Sequence, residues 1–328
     1  MRTLPIVRRL IVSAAFAGTT LGAQAADFTV AYQTSVSPAV VAQADGAYEK
    51  ATHSQIDWRR FDDGASVVAA LASGSVQFGY LGSSPDAAAA SRKVPIETFL
   101  IAAKLINSEA LVTRDGAGIA KPADLIGKKI ATPFVSTSHY SLLAALKHWH
   151  IDPSQVQILN LNPPAISAAW RRGDIDAAYV WDPALGVTKE TGKVLVTSGE
   201  VGRFGSPTFD VWVVRKDFAE QHPDIVKAFA ATTLHAYADY ERNPKAWLAD
   251  PAHIDAVARI TGAQKSDIPG LLEGNDFPTL AQQRGTLGTP TVSALSNTSR
   301  FLKDQGKIDD VLADYTPYVS TRYLPTGQ

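Results

Sequence analysis

The feature that most constrains the fold is a helix–strand unit that occurs twice in the chain. Residues 64–85 align with residues 164–183 when Gly74 is placed on Gly173. In both copies an alanine-rich helix is predicted to end at this glycine, because glycine accepts the left-handed conformation common at helix ends. An apolar strand follows, and then a proline at or near the start of the next helix. A unit used twice predicts two similar α/β lobes.

A second pair of segments has almost the same spacing. Residues 109–114 and 210–215 are each predicted to form a strand that opens with a carboxylate, Glu109 or Asp210, and closes with arginine. The stretch between the two carboxylates is about the right size for an inserted domain. The predicted lobe limits are residues 26–109 with 211–328 for the first lobe, and residues 110–210 for the second.

The alternation of predicted strands and helices places the chain in the α/β class, with a doubly wound sheet and flanking helices in each lobe. The strand Phe28–Tyr32, a helix at about Pro38–Lys50 and the strand Ile56–Arg60 form a β-α-β unit. The second lobe is predicted to contain three strands and two helices, at residues 128–131, 138–149, 156–159, 164–172 and 175–180. Helical spacing predicts C-terminal helices at Pro223–Tyr240, Ile254–Ile260, Thr291–Lys303 and Asp309–Tyr315.

The N-terminus has the parts of a secretory signal peptide. Basic residues including Arg8 and Arg9 precede a short apolar run and the small-residue site Ala23–Ala25. We predict that residues 1–25 are removed and that the mature protein is periplasmic.

The chain has no cysteine, which excludes a disulfide, a thiolate metal site, a cysteine nucleophile and a lipid-anchored cysteine. Its 31 basic and 32 acidic residues nearly balance, which gives no support for nucleic-acid binding.

Pro133–Tyr140 is predicted to be a strand-to-helix turn rich in hydroxyl groups. The first N–H groups of a helix lack intrahelical partners and the helix dipole is positive there, so such a turn can bind an anion. Any one of Ser136, Thr137 and Ser138 could be only a helix N-cap. Three hydroxyl residues followed by His139 exceed what a cap requires, and they predict an anion site.

Two other polar segments are predicted at the same edge of the sheets. Ser83 and Ser84 precede Pro85 at a helix start, so they can donate hydrogen bonds to the same kind of anion. Gln33 lies in the polar loop after the first strand, and ligands of open α/β sheets bind at such loops. An anion held between helix starts of two lobes would draw a cleft closed.

Glu109 and Asp210 predict a bound cation. A carboxylate that begins an apolar strand is costly if it is buried without a partner. Asp210 could pair with a structural arginine or reach water, but Glu109 at the equivalent position favours a shared role in holding an ammonium group. Trp181, at the carboxyl end of a strand, could stack on the cation, although many tryptophans only fill the core. The polar residues together predict a small zwitterionic ligand.

Several long segments resemble one family in the same order along the chain: AYQTS (31–35), LGSSP (81–85), NSEAL (107–111), HYSLLAALKHW (139–149), PPAISAAWRRGDID (163–176), YVWDPA (179–184) and DVWVVRKDFAE (210–220). They resemble the periplasmic taurine- and aliphatic-sulfonate-binding proteins of ABC importers over essentially the whole mature length. The resemblance implies the type II periplasmic binding protein fold, with the ligand in the inter-lobe cleft. It also implies capture of taurine, an aminosulfonate, for delivery to a membrane permease, through which the protein has an ATPase subunit as a further partner.

The resemblance assigns roles that agree with the residue chemistry. Glu109 and Asp210 would take the ammonium group. The implied sulfonate donors are Gln33, Ser83, Ser84, Thr137, Ser138 and His139. Because a sulfonate stays anionic at physiological pH, the site needs donors and no general acid. No cofactor and no metal are expected, and the protein is expected to be a monomer.

Two other functions stay open at this point. A binding protein for aliphatic sulfonates without an amine would leave Glu109 and Asp210 without a cation. A pyrimidine-synthesis-type enzyme of the same fold would need a nucleophile or a reactive cluster of His and Cys, whereas the chain has no cysteine. It also has no pair of His at metal spacing, since His148 and His150 point apart on a helix end. Ser138 and His139 are adjacent in a helix and cannot face each other, and no G-x-S-x-G motif is present. We therefore expect a binding protein and not an enzyme.

Overall fold

The computed structural model describes residues 26–326, so the predicted signal peptide lies outside the described residues. The strands are Phe28–Tyr32 (β1), Ile56–Arg60 (β2), Phe78–Gly82 (β3), Ile96–Leu105 (β4), Glu109–Arg114 (β5), Lys129–Thr132 (β6), Gln157–Asn160 (β7), Ala177–Trp181 (β8), Gly192–Thr197 (β9), Phe209–Arg215 (β10) and Asn275–Asp276 (β11). The helices are Ala39–Ala44 (α1), Ala47–Thr52 (α2), Gly64–Ser73 (α3), Ser83–Ser91 (α4), Thr137–His148 (α5), Pro163–Arg172 (α6), Ala184–Lys189 (α7), Ser198–Arg203 (α8), Lys216–Gln221 (α9), Pro223–Arg242 (α10), Pro244–Leu248 (α11), Pro251–Thr261 (α12), Ile268–Glu273 (α13), Leu280–Thr286 (α14) and Thr289–Asp304 (α15). Within residues 26–326, no helix combines the length and the apolar character needed to cross a bilayer.

The strands form two sheets of matching topology, which confirms the predicted fold class. The six-stranded sheet has the order β11-β4-β10-β3-β1-β2, and the five-stranded sheet has the order β7-β6-β8-β5-β9. In each sheet the strand that carries Asp210 (β10) or Glu109 (β5) runs antiparallel to both of its neighbours. We call the elements around the six-stranded sheet the first lobe and those around the five-stranded sheet the second lobe.

The chain crosses between the sheets close to the two carboxylates. Glu109 is the first residue of β5 and lies in the five-stranded sheet, whereas Asp210 lies in β10 of the six-stranded sheet. The predicted lobe limits had placed each carboxylate in the other lobe. Each carboxylate residue therefore lies just after a point where the chain crosses from one sheet to the other. The exact lobe limits stay a prediction.

The repeated unit folds as predicted. The helices α3 and α6 end at Gly74 and Gly173, which have φ of 79° and 80°. A side-chain N-cap begins each helix: Asp63 accepts from the Ser66 N–H, and Asn162 accepts from the Ala165 N–H. The strands β3 and β8 follow the two glycines and are buried throughout.

Two predicted helices were wrong. The helix at Pro38–Lys50 is broken into α1 and α2 at Gly46, whose φ of 66° interrupts the helix. No helix forms at Asp309–Tyr315; there the Tyr315 hydroxyl lies 2.7 Å from the Ser91 hydroxyl and accepts from the Leu312 N–H. These side-chain bonds hold the segment in an irregular conformation against the first lobe.

Candidate functional site

A cavity of about 40 Å³ lies between the two sheets, where the carboxyl ends of β1, β3 and β8 meet the first residues of β5 and β10. Both lobes line it. Five predicted site residues lie on its wall: Gln33, Thr137, Trp181, Glu109 and Asp210. A space of this size suits a ligand with few non-hydrogen atoms, since one water needs about 10–15 Å³ on this measure.

Glu109 is held by hydroxyl groups of its own lobe. Thr137 donates to one carboxylate oxygen, and Ser198 donates to the other at 3.1 Å. The Tyr179 hydroxyl lies 3.1 Å from the Ser198 hydroxyl and so extends this network. Burial raises the pKa of Glu109 to about 7, and the hydroxyl donors act in the opposite direction. Within the part of the chain that the structure describes, Glu109 therefore has donors for its charge but no cation.

Among the described residues, Asp210 has a single hydroxyl donor. Tyr80 donates to the Asp210 Oδ2 atom at 2.8 Å. Burial, and then the charge of Glu109, hold the pKa of Asp210 well above its usual range. Because a buried carboxylate is costly without compensation, Asp210 needs either a proton or an external cation.

The cavity wall is acidic. Asp182 joins Glu109 and Asp210 on it, and no Lys, Arg or His of the described chain does. Ion pairs among residues 26–326 involve none of these three carboxylates. Burial raises the pKa of Asp182 to about 6. The electrostatics favour a positively charged ligand group.

Neutral donors face the same cavity. Gly64, Gly82 and Ser136, at the N-terminal ends of α3, α4 and α5, lie on its wall. The Trp181 Nε1 atom is buried and has no hydrogen-bond partner among the described residues. Since helix N-termini and an unpaired indole N–H both favour an acceptor, the cavity can also hold a negatively charged group.

Four predicted donors do not line the cavity. Ser83 Oγ accepts from the Phe209 N–H at 3.4 Å, which ties α4 to β10. Ser84 and Ser138 are fully buried, and neither hydroxyl has a partner among the described residues. Both serines lie in the first turn of their helices, so they stay predictions that the cavity wall does not support.

His139, the fourth of these residues, is fully buried behind the turn. Its Nδ1 atom accepts from the Val135 N–H at 3.0 Å, and its ring stacks on Phe134. Burial lowers the pKa of His139 to about 3. The acceptor role follows from the backbone, because Val135 has a φ of 62° and presents its N–H to the ring. The helix cap itself is Ser136, which accepts from the His139 N–H.

Several wall residues were missed in the sequence. They are Thr34, Ser35, Tyr80, Ser108, Asp182 and Asn275. Thr34 and Ser35 follow Gln33 in the same polar loop, so strand-end position could have found them. Asn275 comes from the distant C-terminal part and accepts from the Ser108 hydroxyl at 2.7 Å, and no local pattern indicates this contact.

The two lobes touch around the cavity. Thr34 of the first lobe donates its hydroxyl proton to the Asp182 backbone carbonyl of the second at 2.9 Å. Asn162 lies 3.4 Å from Asp62 across the outer cleft. The two lobes are therefore in direct contact across the cleft.

The fold and the site define the class of two-lobed ligand-binding proteins. Residues 26–259 match the family described as the substrate-binding domain of the ABC-type glycine betaine transport system, and the chain belongs to this family of ABC-type substrate-binding domains.

Individual relatives include the taurine-binding periplasmic protein of Escherichia coli K12, which is 56% identical over 321 residues, covering 98% of this chain and 100% of the relative. Among solved structures, the alkanesulfonate-binding protein SsuA from Xanthomonas axonopodis pv. citri bound to MOPS superposes with a TM-score of 0.74 at 21% identity, over 87% of this chain and 95% of that chain. The desulfurization enzyme DSZB shares the fold at a TM-score of 0.63 and 16% identity, over 90% of this chain and 97% of that chain. The fold alone therefore does not separate binding proteins from enzymes.

Proposed function

We propose that this protein binds taurine in the periplasm and delivers it to the permease of an ABC importer, which an ATPase subunit drives. The observation that carries the proposal is the pair of buried carboxylates, Glu109 and Asp210, which reach one cavity from two sheets. No cationic side chain of the described residues neutralises them. A ligand that brings its own ammonium group would do so.

The opposite end of the ligand would be a tetrahedral anion. Ser136 caps α5 and Thr137 begins it, Gly82 precedes α4, and Trp181 contributes an N–H that has no partner within residues 26–326. Since a sulfonate carries a charge that does not titrate at physiological pH, neutral donors and helix N-termini suffice for it. Charge-assisted hydrogen bonds contribute about 1.5–3 kcal/mol each, so four or five support micromolar binding, which needs about −8 kcal/mol.

The match to the relative named for taurine supports the choice of ligand, because it extends over 98% of this chain. The alternative is an aliphatic sulfonate without an amine, which the likeness to the alkanesulfonate-binding structure favours. Such a ligand would leave both carboxylates without a cation at an appreciable desolvation cost. An enzymatic role is less well supported, since the chain lacks any cysteine nucleophile.

Isothermal titration of the protein without residues 1–25 tests the proposal. Taurine should bind saturably in the micromolar range. Ethanesulfonate lacks the amine and ethylamine lacks the sulfonate, so each should bind at least about ten-fold more weakly, the change expected for loss of one charge-assisted bond. Glycine betaine is a useful fourth ligand, because its quaternary nitrogen has no N–H to donate to Glu109 or Asp210.

Each outcome discriminates between the candidates. Ethanesulfonate binding as tight as that of taurine would support the aliphatic-sulfonate alternative and give Glu109 and Asp210 structural roles. Binding of neither sulfonate would contradict both. The predicted monomeric state is checked in the same sample by light scattering with and without taurine.

A further inference from the structure

Gly82 is notable because the three atoms nearest to a Cβ added there belong to Thr137 and Asp210, two residues of the cavity wall. A Cβ atom added there would lie 2.6 Å from the Thr137 Cγ2 atom, and 3.4 Å from both the Thr137 Oγ1 and the Asp210 Oδ1 atoms. Gly82 belongs to the first lobe and Thr137 to the second. The glycine therefore lies where the second lobe packs tightly against the first beside the ligand cavity.

The backbone at Gly82 does not itself require glycine. Its φ of −73° and ψ of 158° are extended values that any residue adopts. Of the three atoms nearest to such a Cβ, the one from its own lobe is the Asp210 Oδ1 atom, at an ordinary contact distance of 3.4 Å. The tight contact at position 82 therefore comes from the second lobe.

Thr137 cannot move aside freely. It is 4% exposed, and its hydroxyl donates to Glu109. A rotation about χ1 that moved the methyl group away from position 82 would also move the hydroxyl, and Glu109 would lose that donor. A side chain at position 82 must therefore either separate the lobes or remove a donor from Glu109.

We propose that Gly82 is the residue that allows the two lobes to close beside the bound ligand, because any larger residue there meets the Thr137 methyl group of the opposite lobe. This inference rests on the proposed function, in which the closed cavity holds the ligand. It assigns to Gly82 a positioning role: the glycine makes room for Thr137, which then supports Glu109.

The direct test compares Gly82→Ala with the double variant Gly82→Ala/Thr137→Ser. Gly82→Ala should weaken taurine binding by at least about ten-fold, since overpacking between rigid groups is costly. Serine keeps the hydroxyl for Glu109 but lacks the obstructing methyl group. The double variant should therefore bind within about two-fold of Thr137→Ser alone, which is the usual error of such comparisons.

Two further glycine variants serve as matched controls. Gly79 lies three residues earlier in the same strand, but a Cβ there would meet Leu71 and Val67 of its own lobe at 2.9 Å. Gly79→Ala should lower the melting temperature, whereas Gly82→Ala should leave it near that of the wild type. Gly285→Ala adds a methyl group where nothing lies within 4 Å, and it should change neither affinity nor melting temperature.

Inter-lobe distance gives a readout that does not depend on affinity. Since the chain has no cysteine, nitroxide labels can be attached to two introduced cysteines. The exposed positions Lys50 and Lys147, one on each lobe, are suitable, and pulsed electron paramagnetic resonance measures the distance between the labels. With or without taurine, Gly82→Ala should reduce the fraction of molecules that have a short distance between the two labels. The double variant should restore this fraction.

The outcomes separate the two proposals. A wild type that does not bind taurine contradicts the proposed function, while the label distances still test Gly82. A Gly82→Ala variant with wild-type affinity and wild-type distances overturns the role of Gly82. A double variant that stays as weak as Gly82→Ala also overturns it, because the added methyl group would then obstruct the ligand and not Thr137.

Discussion

The two copies of the repeated unit hold their carboxylates in different ways. Tyr80 of β3 donates directly to Asp210, whereas its counterpart Tyr179 of β8 reaches Glu109 only through Ser198. Glu109 also accepts from Thr137, so among residues 26–326 it has two hydroxyl donors where Asp210 has one. Equivalent positions have thus diverged into a well-supported carboxylate and a poorly supported one.

The residues beside the carboxylates differ even more. Trp181 pairs with Glu109 across β8 and β5, and Gly82 pairs with Asp210 across β3 and β10. Residues opposite each other on antiparallel strands share a face. The second lobe therefore contributes the large indole of Trp181 to the cavity. The first lobe has only Gly82 at the equivalent position, and Thr137 of the second lobe fills the space beside it. The asymmetry suits a ligand whose two ends differ.

The largest effect is expected at the poorly supported carboxylate. Asp210→Asn should weaken taurine binding by more than about ten-fold, because a desolvated charge-assisted bond to the ammonium is lost. Stability should change little, since the amide keeps the size of the side chain and can still accept from Tyr80. Isothermal titration measures the first quantity and thermal melting the second.

Asp86 provides the matched control for this variant. It is also a buried aspartate of the first lobe and accepts from the Thr98 hydroxyl at 2.6 Å, but it does not line the cavity. Asp86→Asn should leave the affinity unchanged. Equal affinity of Asp210→Asn and the wild type would remove Asp210 from the ligand site.

The second effect is a pH dependence of affinity. An ammonium group binds the ionised carboxylates, whereas burial raises the pKa of Glu109 to about 7 and holds that of Asp210 well above its usual range. Binding must therefore release protons, and affinity should rise with pH between about 5.5 and 7.5, by up to about ten-fold per pH unit for each proton released. Titrations in buffers of different ionisation enthalpy count the protons.

The stability of the ligand-free protein should follow the opposite direction. Between the unfolded carboxyl pKa near 4 and the folded value near 7, the folded state binds more protons, so the free energy of unfolding falls as pH rises. Taurine should therefore raise the melting temperature more at pH 8 than at pH 5.5. A pH-independent affinity from 5.5 to 8 would mean that the carboxylates do not contact the ammonium.

The third effect concerns the well-supported carboxylate. Glu109→Gln should weaken taurine binding by about ten-fold or less, and by less than Asp210→Asn, because Thr137 and Ser198 already satisfy much of the Glu109 charge. It should also flatten the pH dependence near 7. A larger loss than in Asp210→Asn would reverse the ranking of the two sites.

The sequence predicted those parts of the molecule that depend on local spacing. The repeat, its glycine ends at Gly74 and Gly173, and the two carboxylate strands follow from periodicity and turn chemistry. Strand-end position also explains why Glu109, Asp210 and Trp181 were selected and lie on the cavity wall, since a strand end in an open α/β sheet faces the cleft.

The remaining wall residues depend on contacts between distant segments. Asn275 reaches the cavity through the pairing of β11 with β4, and no pattern near it predicts that pairing. His139 was selected for its place in a hydroxyl-rich turn, but the left-handed backbone at Val135 directs an N–H to its ring. Side-chain direction within a turn follows from the folded backbone, which spacing alone does not specify.

The smallest effect tests the comparison between the two tyrosines directly. Tyr80→Phe should weaken taurine binding by about three-fold, because Asp210 loses its one hydroxyl donor and holds its proton more strongly. Tyr179→Phe should have almost no effect, since Ser198 can still donate to Glu109 without the tyrosine. Titrating both variants at pH 6 and pH 8 sharpens the contrast: the loss in Tyr80→Phe should be greater at pH 6, where Asp210 is more fully protonated. If the two variants behave alike at both values, the difference in support between the carboxylates does not affect binding, and the two lobes act as equivalent halves of the site.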